Sequence, residues 1–170
     1  MQSESRVFDR DWNQYYNAVI GRPPRDTLLA ALAQFDGENS SDRKLFAVDL
    51  GCGEGRDTVE LLRRGWQVLA VDSNEEAIAR MLARSDIHLE LLTTQTMQFE
   101  ELVLPAAIDL INASFSLPFC PPEQFPELWE KIVISLKPGG RFCGQLFGEY
   151  AEAHATLTRF LGSLYYYESS

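Results

Sequence analysis

Val48-Asp49-Leu50-Gly51-Cys52-Gly53-Glu54-Gly55, with Val71-Asp72 further along, decides the fold of this 170-residue chain. An apolar run, Leu45 to Leu50, enters a turn with glycines at alternate positions. A helical pattern follows, and a second apolar run, Val68 to Val71, ends in the carboxylate of Asp72. Glycine has no Cβ, so the backbone of such a turn can approach a ligand closely, and the next helix adds partial positive charge at its start. In nucleotide-binding βαβ units the acidic residue after the second strand accepts hydrogen bonds from ribose hydroxyls. The pattern implies a nucleoside pocket.

The spacing separates two kinds of pocket. Dinucleotide sites use G-x-G-x-x-G to seat a pyrophosphate, whereas Gly51, Gly53 and Gly55 give G-x-G-x-G with Asp49 and Glu54 close by. Two carboxylates repel a pyrophosphate and suit an ammonium or sulfonium. In these residues the chain resembles the class I S-adenosylmethionine-dependent methyltransferases. Trp12-Asn13-Gln14-Tyr15-Tyr16, Gly21-Arg22-Pro23-Pro24 and Asn112-Ala113-Ser114-Phe115 look like the small-molecule branch related to tellurite-resistance and thiopurine methyltransferases. The general pattern covers roughly residues 10 to 148.

Composition narrows the partners. Hydrophobic content of 45% with 24% charged residues is ordinary for a globular chain. A net charge of −10 argues against nucleic acid, because phosphate binding uses clustered Lys and Arg. No apolar run approaches the ~20 residues that span a bilayer, and Met1 to Arg10 does not read as a signal peptide. Three widely spaced cysteines fit reduced thiols. The expectation is a cytoplasmic protein with a small-molecule partner, no nucleic acid, no membrane and no metal.

One domain is expected: cap helices over residues 1–36, a cofactor-binding core over 44–148 and an atypical tail over 149–170. Aromatic and aliphatic residues from Trp12 to Ile20, and Leu28 to Phe35, recur at helical spacing. Strands are expected at 45–50, 68–71, 87–92, 108–112 and 141–147. Ser73 and Glu76 suggest a capping box for a helix carrying Ile78, Met81 and Leu82. Pro121-Pro122 opens the most regular helix, with Phe125, Leu128, Trp129, Ile132, Val133 and Leu136 on one side. Alternating strands and helices imply an α/β fold, a three-layer αβα sandwich around a mostly parallel sheet. The resemblance implies a Rossmann-like order 3-2-1-4-5. It also implies a closing helix and two more strands, for which the tail has no room. The tail offers a helix over 151–161 and one short strand near Leu164 to Tyr167. An uncovered fifth strand invites a homodimer contact through the sheet edge, a substitute strand from the tail, or aggregation. A truncated product and a compact natural variant both fit this pattern.

The resemblance assigns cofactor-binding roles around S-adenosylmethionine to Arg22, Asp49, Gly51, Cys52, Gly53, Gly55, Asp72, Ser73, Gln95, Thr96, Met97 and Asn112. Asp49 would organise the loop or hold the methionine ammonium. Arg22 or Arg25 would pair the methionine carboxylate, and Asp72 the ribose. Relatives often place an acidic residue near the adenine; Gln95, Thr96 and Met97 include none, leaving the Gln95 oxygen or a backbone carbonyl. Asn112, Ser114 and Phe115 follow the fourth strand, where the methyl group would be transferred. Trp12, Tyr15 and Tyr16 read first as helix packing and second as a cover on the pocket. Cys120 falls near the site without a histidine in any nucleophile pattern. Neither His88 nor His154 falls near the site, so the sequence shows no general base. An acceptor that is already nucleophilic, a soft anion or a nitrogen, then fits better than an unactivated hydroxyl. The alternative is a nucleoside-binding module that has lost catalysis with its C-terminal strands.

Overall fold

The computed structural model describes residues 11–38, 43–145 and 166–168. In chain order the elements are α1 (Trp12–Val19), α2 (Asp26–Glu38), β1 (Phe46–Leu50), α3 (Thr58–Arg63), β2 (Gln67–Asp72) and α4 (Glu75–Leu82). They continue with β3 (Leu92–Thr96), β4 (Ile108–Ser114), α5 (Phe125–Ser135), β5 (Leu136–Gln145) and β6 (Tyr166–Glu168). The sheet order is β3-β2-β1-β4-β5-β6. Strands β1 to β5 run parallel, and β6 is antiparallel to β5, with Phe142 opposite Tyr167.

Alternate residues of each strand feed opposite faces, so both sides of the sheet need a cover. Val48, Leu50, Val71, Ile111 and Phe142 meet Phe125, Leu128 and Ile132 of α5. Ala47, Val68, Leu110 and Cys143 face the other way, onto Leu28 and Leu32 of α2, Leu61 and Leu62 of α3, and Trp66. Ala70, on that second face, packs with Ile78 and Met81 of α4. Three layers result, as the alternation of strands and helices implies.

Several boundaries differ from the sequence reading: α5 opens at Phe125, and Leu136, expected on it, already belongs to β5. The third strand is not 87–92 but Leu92–Thr96, because Leu89–Leu91 forms a 3-10 turn first. The cap of α4 is Asn74 rather than Ser73; its side-chain oxygen accepts from the Glu76 and Ala77 N–H groups. Strand β5 begins at Leu136, ahead of the expected Arg141, with the register shifting between Ile108 and Leu110 where Lys137 to Gly140 is accommodated. The expected helix over 151–161 lies outside the described residues. Of the outcomes expected for the edge of β5, the substitute strand from the tail is the one seen: β6 pairs with it.

Candidate active site

The glycine turn leaves β1 at the carboxyl end of the sheet. Gly51 and Cys52 donate their N–H groups to Val71 O at 2.7 and 3.0 Å, tying the turn to β2. Gly53 N–H donates to Asp72 Oδ2 at 2.8 Å, and Gly55 N–H to Cys52 O at 3.0 Å. These donors are spent inside the protein. These four N–H groups are therefore not the ones that could seat a pyrophosphate. The glycines serve close approach instead. A side chain at Gly51 would collide with Ser116, whose hydroxyl donates to Leu50 O at 2.6 Å, and Gly51 has φ 71°. Gly53, at φ 55°, leaves room for the Tyr16 ring, 3.3 Å from where a Cβ would stand.

Asp72 closes β2. Its Oδ1 accepts from Asn74 N–H at 2.9 Å, so one carboxylate fixes both the glycine turn and the start of α4. Burial raises its carboxyl above the ordinary range, while the Asn74, Gly53 and Ser73 N–H groups pull it back. Each carboxylate oxygen has a second lone pair, the requirement for accepting from a ribose diol.

Beneath the turn lies a buried polar node. Asn112 Nδ2 donates to Asp49 Oδ1 at 2.9 Å and to Asp57 Oδ2 at 3.1 Å. Thr58 Oγ1 donates to Asp49 Oδ2 at 2.6 Å, and Asn112 Oδ1 accepts from Ser114 Oγ at 3.2 Å. Burial, with the Asp57 charge next, raises Asp49 to about 7. Asp57 also accepts the Arg25 backbone N–H at 2.9 Å, which joins the start of α2 to the core.

Over this floor is a crevice of about 1440 Å³. Of the residues singled out in the sequence, Arg22, Asp49, Gly51, Cys52, Gly53, Asp72, Ser73, Met97, Ser114 and Phe115 line it. Trp12, Tyr15 and Tyr16 line it as well; Tyr16 is buried, and Trp12 meets Phe119 at 5.3 Å.

Four placements differ from the sequence reading. Asn112 is fully buried in the node and does not face the crevice. Gly55 turns its open side to Met81. Gln95 and Thr96 lie within β3, because that strand starts five residues late, and the lining continues instead through Met97, Gln98, Phe99 and Glu100. Glu100 thus supplies an acidic group in the segment where the sequence reading found none. Cys120 is buried and does not line the crevice; burial, then Glu100 and Glu123, pushes its thiol up to about 11, so it stays protonated. Among the described residues no histidine lines the crevice.

Asp57, Arg56 and Ser116 went unread in the sequence. Asp57-Thr58 ahead of Val59 carries a helix-start signal that could have drawn attention to the first. Ser116 has no sequence signal; only the close passage of Gly51 reveals it. Arg56, Arg22 and Arg25 stand together at the rim: Arg56 Nε donates to Pro23 O at 2.6 Å, and the Arg25 guanidinium lies 4.7 Å from the Phe115 ring centre.

A glycine turn lining the crevice, a strand-end carboxylate with lone pairs to spare and the apolar lining residues Met97, Phe99 and Phe115 fit an adenosyl sulfonium. Comparison with known proteins agrees. Residues 47–140 match the family described as methyltransferase domain. The chain is 34% identical over 149 residues to a carboxy-S-adenosyl-L-methionine synthase of Stutzerimonas stutzeri, covering 79% of this chain and 58% of that protein. A crystal structure of an S-adenosylmethionine dependent methyltransferase from Mesorhizobium loti superposes with TM-score 0.53 at 27% identity, over 68% of this chain and 52% of the other. TehB from Haemophilus influenzae shares the fold, with TM-score 0.56 at 19% identity over 68% and 39% of the two chains. The chain thus spans somewhat over half the length of the curated relative, and it belongs to the S-adenosylmethionine-dependent methyltransferase-domain family.

Proposed function

We propose that this protein transfers a methyl group from S-adenosylmethionine to a small acceptor, a soft anion or a nucleophilic nitrogen in preference to a hydroxyl. The observation that carries the reading is the crevice at the strand ends, where Asp72, the glycine turn and an apolar wall converge and no histidine lines the space among the described residues. Asp72 would hold the ribose, Arg22 the methionine carboxylate, and Met97 with Phe99 would border the adenine. Asp49 would act through the node, keeping the turn in place. The bound sulfonium supplies an activated methyl carbon and a neutral thioether as leaving group. What the chain must add is alignment and the exclusion of water, which Phe115, Phe119 and Trp12 would provide.

Thermal shift with S-adenosylmethionine, S-adenosylhomocysteine and NAD tests the reading, since a ligand that binds only the folded form raises Tm. The first two should stabilise the protein and NAD should not. Asp72→Ala should weaken both by tenfold or more, the scale of one lost charged hydrogen-bond acceptor at about 1.5–3 kcal/mol. It should also lower stability, because the Gly53 and Asn74 N–H groups lose their partner. Stabilisation by NAD alone would defeat the proposal; binding without turnover on any acceptor would favour a non-catalytic module.

A second reading comes from the curated relatives at 30–34% identity, which are named for making carboxy-S-adenosyl-L-methionine. Mass spectrometry of the cofactor after turnover separates the two. A methylated acceptor with S-adenosylhomocysteine supports methyl transfer, and a cofactor carrying an added carboxyl supports the other.

A further inference from the structure

Three guanidiniums line the crevice: Arg22, Arg25 and Arg56. They are close enough to act on one another, for burial and then the charges of Arg25 and Arg22 hold Arg56 below its ordinary range. The carboxylate that answers them is Asp57, and it is already committed. One of its oxygens accepts the Arg25 backbone N–H at 2.9 Å, the other accepts from Asn112 at 3.1 Å and lies 4.0 Å from Arg25 Nε. The lining also carries carboxylates, Glu54, Asp72, Glu100 and Glu123 among them. In a chain of net charge −10 three neighbouring guanidiniums concentrate positive charge locally, and such a cluster attracts the anionic group of a ligand.

The cofactor's carboxylate occupies only part of such a rim, since one carboxylate pairs bidentately with one guanidinium. The space is also generous. At about 1440 Å³ the crevice exceeds the roughly 300–1,000 Å³ typical of a single-ligand pocket. Arg25 lies over the ring of Phe115, and Phe115 follows the polar end of β4 in a left-handed conformation, φ 59°, with its N–H fixed to Gln145 O at 2.7 Å. A non-glycine residue held there is strained, and such strain gathers at ligand clamps.

We propose that Arg25 and Arg56, with Phe115, form a second anion subsite beside the cofactor, and that the acceptor is a planar or apolar molecule carrying a carboxylate or similar anion. The inference rests on the methyl-transfer reading and adds the acceptor's charge and its recognition residues.

The test uses the full chain saturated with S-adenosylhomocysteine and two probes of the same shape, benzoate and benzamide, titrated by calorimetry. Benzoate should bind at least tenfold more tightly than benzamide, and Arg56→Gln should remove that preference, the scale expected for one charged hydrogen-bonded pair. Arg25→Lys, which keeps the charge but loses the planar fork, should weaken benzoate less than Arg56→Gln does. Equal binding of the probes, or no binding of either, overturns the subsite. So does an Arg56→Gln protein in which S-adenosylhomocysteine weakens as much as benzoate, because the rim would then belong to the cofactor's carboxylate. Failure of the unaltered protein to bind S-adenosylhomocysteine at all would be a failure of the parent reading, and the subsite would fall with it.

Discussion

Asp49 shows how a single buried group sets a pH response. It is 2% exposed and keeps two donors, Thr58 and Asn112, yet burial and the nearby Asp57 charge raise its carboxyl from 3.8 to about 7. Between those values the folded chain holds a proton that the unfolded chain has released, so stability falls as pH rises across that interval. The contribution is full below about 3.8 and gone above about 7. Asp49→Asn imitates the protonated carboxyl and keeps an oxygen for Thr58. Its Tm should therefore decline less between about pH 4 and about pH 7 than that of the unaltered protein. Parallel Tm–pH curves for the two would show that Asp49 does not titrate in this range. Gly51 is the complementary case: its role is the passage of Ser116, a contact between residues far apart in the chain.

Elements were legible where a period and a stop signal coincide. Helix α5 follows its apolar spacing, and β1 and β2 follow their apolar runs. Strand β3 misled because its residues, Leu92 to Thr96, are mostly polar and only half-buried, as an edge strand permits, while Ile87 to Leu92 looked the better strand. Helix α1 is short, with Asp11 as its cap, and gains its place from contacts outside itself: Arg80 donates to Asn17 at 3.0 Å, and Tyr16 sits on the glycine turn. Strand β6 covers β5 with only three residues. Combining Tyr166→Pro with Tyr167→Pro removes whichever N–H faces β5, because successive N–H groups point to opposite sides of a strand, and should uncover the β5 edge. Light scattering after size exclusion should then show dimers or larger species. A variant that elutes like the unaltered protein would mean that β6 is not what keeps the edge from pairing.

Across the whole molecule, ligand recognition and an ionic anchor occupy opposite ends of the sheet. Asp109, at the start of β4, is fully buried and accepts from Arg43 at 2.8 and 3.0 Å, from Phe46 N–H at 2.9 Å and from Lys137. Burial pushes its carboxyl up, but the Arg43 and Lys137 hydrogen bonds outweigh that and hold it below the ordinary range. Its stabilisation is thus present above the usual carboxylate pKa and lost as pH falls through the lowered one. Asp109→Asn should cost about 2 kcal/mol in urea unfolding, the order of a charged hydrogen bond lost at a buried site, with S-adenosylhomocysteine affinity unchanged. A matching loss of affinity would mean that the two ends are coupled.

The one-dimensional pattern determined the α/β class and the glycine turn with its strand-end carboxylate, because apolar period, missing Cβ atoms and local charge are properties of neighbours in the chain; the strand order followed from the family resemblance alone. Only the tertiary structure decided that Asn112 lies under the site rather than in it, that Asp57 joins the cap helices to the core, and that three arginines share a rim. Those outcomes depend on which distant groups burial forces together, where each lost contact with water has to be replaced by a partner from elsewhere in the fold.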